Sequence, residues 1–296
     1  MNGSAISTRV GGVELGGTKI VMGVGTGLDA IEARMVIPTS SPGKDLQAIT
    51  SWFADQPKIA ALGIASFGPV DLDPQSINWG YIRRTPKPGW SHVALAPALK
   101  AALGVPVGFD TDVNGAALGE ARWGSSANCS TSVYVTIGTG VGGGAVINGM
   151  PLHGHGHPEM GHMRLPRYSG DEGFPGICPF HGDCCEGLVS GPAILARYGV
   201  SLSELSPEHP AHRMIAWYLA QFAVTLQSVM APGQIIMGGG VMKTPGLLHR
   251  VRGEANTIAG DYFAARPGAI IMPPSLGDNS GLLGAFVLAE RAMETT

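Results

Sequence analysis

The sequence predicts an α/β protein of two domains. Three observations carry the prediction. Apolar, β-branched runs alternate with segments of helical spacing along the chain. The strand–glycine turn–strand plan of residues 10–24 returns from Ser132 onward. The 45 glycines are bunched at the ends of these runs rather than spread.

Residues 10–24 read as a strand, a turn at Gly16-Gly17 and a second strand. Residues 44–56 carry Leu46, Ile49, Trp52 and Phe53 at helical spacing and lead to an apolar strand, 59–65, that SFGP breaks. A helix over 92–103 feeds a short strand, 105–109, which ends in the polar run DTDVN; residues 116–123 follow as a helix. The second cycle opens with SVYVTIGTGVGGGAVING, again strand, glycine turn and strand. Residues 210–230 form the longest helix candidate, 234–237 a buried strand closed by GGG, and 282–293 a terminal helix. The expected domains are 1–115 and 116–281, with the last helix, 282–296, rejoining the first.

Composition narrows the function. Charged residues make up 14% and the net charge is −3, with no basic run, so nucleic acid and anionic membranes are not expected partners. No 18-residue apolar stretch is free of breaks, which argues against a spanning helix. The first 15 residues lack the charged-then-apolar plan of a secretory signal, and three of four cysteines lie within eight residues. A cytoplasmic protein without a disulfide framework is expected.

Three strand-end glycine turns, at 14–19, 138–144 and 238–240, present backbone N–H groups to an anion; the first adds a hydroxyl and an ammonium in Gly16-Gly17-Thr18-Lys19. None matches a P-loop or a Rossmann fingerprint, and any one alone also reads as a tight hairpin. Asp112 stands at the end of a strand beside a domain boundary, where α/β folds place ligands. Asp110, Thr111 or Asp112 also reads as the cap of the following helix, and the two readings are compatible. The stretch CPFHGDCC places Cys178, His181 and Cys184 at turn spacing, with His162 of HPEMGH upstream. That is a Cys₂His₂ set of the kind that closes around structural zinc. A redox pair would need CxxC, which is absent, and a vicinal Cys184-Cys185 disulfide would be strained.

Taken in order, VELGGTK (13–19), SFGPVD (66–71), DTDVNGAALGE (110–120), VTIGTGVGGG (135–144), HPEMGH (157–162), CPFHGDCCEGLVSGPAI (178–194), MGGGVM (237–242) and LGDNSGLLGA (276–285) resemble the ROK family of sugar kinases and related repressors, most closely its bacterial fructokinase branch. The resemblance spans nearly the whole chain. It implies two actin-like, ribonuclease-H-like domains with a cleft between them that close on a hexose, with ATP in the second. It implies Asp112 as catalytic base, Gly68, Pro69, Glu159 and Glu186 as sugar ligands, and Gly16, Gly17, Thr18 and Lys19 at the transferred phosphate. Gly138, Thr139, Gly140 and Gly238, Gly239, Gly240 would meet the nucleotide, and His162, Cys178, His181 and Cys184 one structural Zn²⁺. Mg²⁺ would arrive with ATP, Glu14 helping to hold one of its waters, and a homodimer is implied.

Departures from the glucokinase pattern point to the substrate. Glu14 replaces the aspartate of DxGGTK, DTDVN replaces ENDAN, and CxxHxxC replaces CxCGxxGC. All three match the fructokinase branch and count against glucose. Cys185 stands where that branch carries an apolar residue, which leaves Cys184 and Cys185 as rival ligands. The repressors' N-terminal helix-turn-helix domain is not expected, because GGVELGGTK begins at residue 11. The alternatives are a mannokinase or glucokinase of the same fold, or a non-catalytic sugar sensor.

Overall fold

The computed structural model describes residues 8–294. Part of the N-terminal stretch read above as lacking an export signal, and the last two residues of the terminal helix, lie outside the described residues. Among the described residues, no helix is long and apolar enough to cross a membrane. By packing, the chain divides into two compact units. Unit 1 holds the described residues up to Asn128, Gly149–Pro158 and those from Ser275 on; unit 2 holds Cys129–Asn148 and Glu159–Pro274.

Unit 1 is built on strands β1 (Val10–Leu15), β2 (Lys19–Gly25), β3 (Ile31–Pro38), β4 (Leu62–Ser66) and β5 (Val107–Thr111). Its helices are α1 (Pro42–Ala54), α2 (Leu95–Leu103) and α3 (Asp112–Trp123). The sheet order is β3-β2-β1-β4-β5. β1 pairs antiparallel with β2 and parallel with β4, and β4 is parallel to β5. β1 and β4 are central and buried nearly throughout, whereas the edge strand β3 alternates exposed and half-buried positions.

Unit 2 repeats the plan. In chain order come β6 (Thr131–Ile137), β7 (Val141–Ile147), β8 (Met150–Pro151), α4 (Cys185–Val189), α5 (Gly191–Tyr198), α6 (Ala211–Met230), β9 (Gln234–Gly238), α7 (Leu247–Ala259), α8 (Pro267–Ile270), β10 (Ile271–Met272) and α9 (Ser280–Glu294), of which β8 and α9 belong to unit 1. Within unit 2 the sheet order is β10-β9-β6-β7, in which β6 is antiparallel to β7 and parallel to β9. Each sheet is thus a glycine-turned hairpin extended on one side by parallel strands. The architecture is α/β in both units, and the repeat read from sequence is a repeat of topology.

Much of the glycine excess serves packing. A Cβ on Gly63 of β4 would collide with the carbonyl of Ala285, one on Gly108 of β5 with that of Leu288, and one on Gly284 of α9 with that of Gly115 of α3. α9 therefore lies backbone to backbone on the sheet of unit 1 and on α3. Leu282, Leu283 and Phe286 pack with Val10 and Val21 in an apolar cluster there. These glycines, at 63, 108, 115 and 284, lie outside the bunched turns read from sequence.

The single cut at residue 115 falls inside α3, which is continuous from Asp112 and packs wholly within unit 1. Glu120 explains why α3 stays there. It is fully buried, and its carboxylate accepts from Ser125 N at 2.7 Å, Leu276 N at 3.0 Å and the Ser280 hydroxyl at 2.9 Å. Those partners flank the points where the chain leaves unit 1 at Asn128 and returns at Ser275.

Candidate active site and metal centre

In unit 1 the β1–β2 turn is tight, with Gly16 N–H donating to the Lys19 carbonyl at 2.9 Å. Thr39 steadies it by donating its hydroxyl to the Gly16 carbonyl at 2.8 Å. Gly17, Thr18 and Lys19 are left exposed. Neither Gly16 nor Gly17 has a positive φ, and a Cβ on Gly17 would meet nothing within 4 Å. Local packing does not demand glycine at position 17. Lys87, which the sequence reading did not single out, donates to the Gly17 carbonyl and lies 5.9 Å from the centre of the Phe67 ring.

Asp112 is the first residue of α3. Thr111 takes the capping role, its hydroxyl accepting the Asn114 N–H at 3.1 Å. Asp112 Oδ1 accepts from Val113 N at 2.9 Å, and the carboxylate also meets its own backbone N–H. Burial lifts its carboxyl to about 6, against the pull of those N–H groups. Glu14 projects from β1 towards Gly281, where any Cβ would strike its carboxylate. Its Oε2 is buried and has no hydrogen-bond partner among the described residues. Burial pushes it up to about 7, Lys19 opposing and the charge of Asp112 adding to the rise.

Two further groups stand at the same strand ends. Asp110, almost fully buried, accepts from Thr111 N at 2.8 Å, Asn114 Nδ2 at 2.7 Å and His153 Nε2 at 2.9 Å. The Gly68-Pro69 turn is followed by Val70, whose N–H donates to His157 Nε2 at 3.1 Å. Neither histidine was picked out from sequence, because their partners lie 43 and 87 residues away.

In unit 2 the β6–β7 turn has Gly138 N–H donating to the Gly140 carbonyl and Gly191 N–H to the Gly138 carbonyl, both at 2.8 Å. A Cβ on Gly138 would meet nothing within 4 Å. Glu186, in the first turn of α4, spends Oε2 on the Val141 N–H at 3.0 Å, so this predicted sugar ligand is tied to the glycine turn. Glu159 is exposed just before a 3₁₀ turn, Met160–His162. Gly239 follows β9 at φ 94°, and a Cβ there would strike the Ile137 carbonyl, so the fold itself requires glycine at this point.

The four expected metal ligands come together. One donor atom each from His162, Cys178, His181 and Cys184 lies within 4.8 Å of every other. Nδ1 of His162 is 3.7 Å from Cys178 Sγ and 3.6 Å from Cys184 Sγ, and His181 Nδ1 is 3.6 Å from Cys178 Sγ. Cys185 is outside the set: it begins α4, is fully buried, and its N–H donates to the Met163 carbonyl. The loop is braced by a buried network that the motifs do not announce. Asp171 accepts from Arg197 Nη2 at 2.9 Å and Tyr218 Oη at 2.7 Å, while Arg167 reaches Asp183 and the Phe174 carbonyl.

The chain is similar to known proteins along nearly its whole length. The chain is 47% identical to the fructokinase of Zymomonas mobilis subsp. mobilis over 289 residues, covering 94% of this chain and 95% of that one. It is 37% identical to the fructokinase of Lactococcus lactis subsp. cremoris over 287 residues, covering 96% and 98%. Among solved structures, the ROK hexokinase from Thermus thermophilus superposes with a TM-score of 0.81 at 26% identity, covering 97% of this chain and all of that one. The ROK family model matches residues 10–292, almost every residue described above. The chain belongs to the ROK family.

Proposed function

We infer that the chain is an ATP-dependent fructokinase, which transfers the γ-phosphoryl group of MgATP to the 6-hydroxyl of D-fructose. The observation that carries the chemistry is Asp112, a carboxylate at the end of β5 whose pKa of about 6 suits a base working near neutrality. The sugar oxygen forms its bond to phosphorus, the bond to ADP breaks, and the hydroxyl proton passes to Asp112. Similarity to fructokinases along nearly the whole chain supports fructose as the acceptor.

The remaining residues bind and orient. Gly68, Pro69, Glu159 and Glu186 take the sugar, Glu186 through the oxygen that Val141 does not use. Gly16, Gly17, Thr18 and Lys19 receive the transferred phosphate; Gly138, Thr139, Gly140 and Gly238 to Gly240 receive the nucleotide. The open space around Gly17 and Gly138 supports this reading, because a ligand drawn up to the backbone accounts for glycine where packing does not. Glu14 would hold a water of the Mg²⁺ that enters with ATP, and its unpartnered Oε2 fits that task. When bound, the ion offsets charge on the phosphoryl oxygens.

His162, Cys178, His181 and Cys184 would hold one Zn²⁺. Bonds of about 2.1 Å to nitrogen and about 2.3 Å to sulfur, at tetrahedral angles, put N and S about 3.6 Å apart. The Nδ1–Sγ separations of 3.6 and 3.7 Å agree. Four protein donors leave no open position, so the ion's part is structural. The expected homodimer and cytoplasmic location belong to the same reading.

The test is Asp112→Asn, which keeps the size and removes the base. It is expected to lower kcat by at least about a hundredfold while sugar binding is kept. A variant with near-normal kcat would take Asp112 out of the mechanism.

A further inference from the structure

The segment Gly149–Pro158 reads HGHGHP at its end and packs as part of unit 1. Two of its side-chain contacts are of opposite kind. His157 Nε2 accepts the Val70 N–H at 3.1 Å, and its ring lies against the preceding turn: a Cβ on Gly68 would sit 3.4 Å from His157 Cε1. His153 Nε2 donates to the buried Oδ2 of Asp110 at 2.9 Å. The two partners stand beyond neighbouring strand ends. β4 and β5 run parallel with Ser66 opposite Thr111, so Gly68-Pro69 and Asp112 leave the sheet side by side. Ligands bind at that edge of an open α/β sheet.

We propose that this segment is a strap that positions the sugar side of unit 1, with His157 fixing the Gly68-Pro69 turn and His153 fixing Asp110 beside Asp112. Both act through other residues and are positioning residues. The idea rests on the fructokinase reading and deepens it. The chemistry of each ring suits its task. To accept from Val70, His157 must carry its proton on Nδ1 and stay neutral, and burial holds its pKa below the usual value. His153 must carry a proton on Nε2, and the Asp110 carboxylate raises its pKa. A ring that lost its contact would free a backbone turn or leave a buried carboxylate one partner short.

The test uses the full chain and three variants. His157→Phe keeps a ring and removes the acceptor; His157→Gln restores an acceptor; His153→Ala removes the donor to Asp110. His157→Phe and His153→Ala are each expected to raise KM for fructose by about tenfold or more, the loss of roughly one hydrogen bond's positioning. KM for MgATP should stay within about twofold of the parent, and His157→Gln should recover part of the loss. A purely structural role would instead lower Tm and move both KM values together, and that result overturns the proposal. So does an unchanged fructose KM in His157→Phe, or in His153→Ala should the phenylalanine variant not fold. A parent that phosphorylates fructose beside unaffected variants sinks the strap alone; a parent that phosphorylates no hexose sinks the fructokinase reading and the strap with it.

Discussion

A carboxylate pressed into a protein costs the fold most when it is ionised, and Glu14 and Asp112 are two such groups close enough to repel. Their folded-state values, about 7 and about 6, lie above the unfolded 4.5 and 3.8. Between those limits the native state binds more protons than the unfolded one. Stability from the protonated forms is therefore fully present below the unfolded values and is lost as pH rises through the folded ones. For Glu14 the full loss is about 3 kcal/mol, at about 1.4 kcal/mol per unit. Coupling to Asp112 means the two losses do not simply add. Glu14→Gln should accordingly be more stable than the parent at pH 8 in urea denaturation without nucleotide, and no more stable at pH 5. Equal stabilities at pH 8 would show that Glu14 is not held in this way. The sequence made Glu14 and Asp112 legible because strand-end carboxylates are rare and positioned. It gave no sign of His153 and His157, whose work depends on contacts with residues far away in the chain.

At the scale of elements, the loop from His162 to Cys184 is short of regular structure and depends on cross-links. It carries the Asp171–Arg197–Tyr218 network and the four candidate metal donors. Ligand binding energy in such a loop is folding energy. Purified protein should contain about one zinc per chain. Cys178→Ser should lose the metal and lower Tm together, and Cys185→Ala should keep the metal, since Cys185 sits in α4 outside the donor set. Loss of zinc from Cys185→Ala alone would reverse the choice between the adjacent thiols. The His162, Cys178, His181 and Cys184 cluster was readable because ligand chemistry fixes residue types at short spacing. Strand β3 was not, since its exposed edge lacks a clean apolar alternation. The packing glycines at 63, 108 and 284 were not legible, because the close approach of α9 is set by contacts far away in the chain.

For the molecule as a whole, the pattern of alternating elements disclosed the fold class, and the glycine hairpin disclosed that one topology occurs twice. It did not disclose that the chain passes between the units more than once. A linear reading cuts a sequence once, whereas Glu120 and the packing of α9 gather distant segments into unit 1. The substrate is also a property of the whole, since any hexose with a primary hydroxyl could meet Asp112. Sugar-facing carboxylates that pair with the hydroxyls of a ketofuranose would be left unpaired by an aldopyranose, and in a site closed on its ligand a mismatch of that kind costs several kcal/mol, about two or more powers of ten in rate. The most direct measurement is kcat/KM for D-fructose, D-glucose and D-mannose with the same MgATP. Fructose is expected to exceed both others by at least about tenfold; a higher value for glucose or mannose would contradict the fructokinase reading.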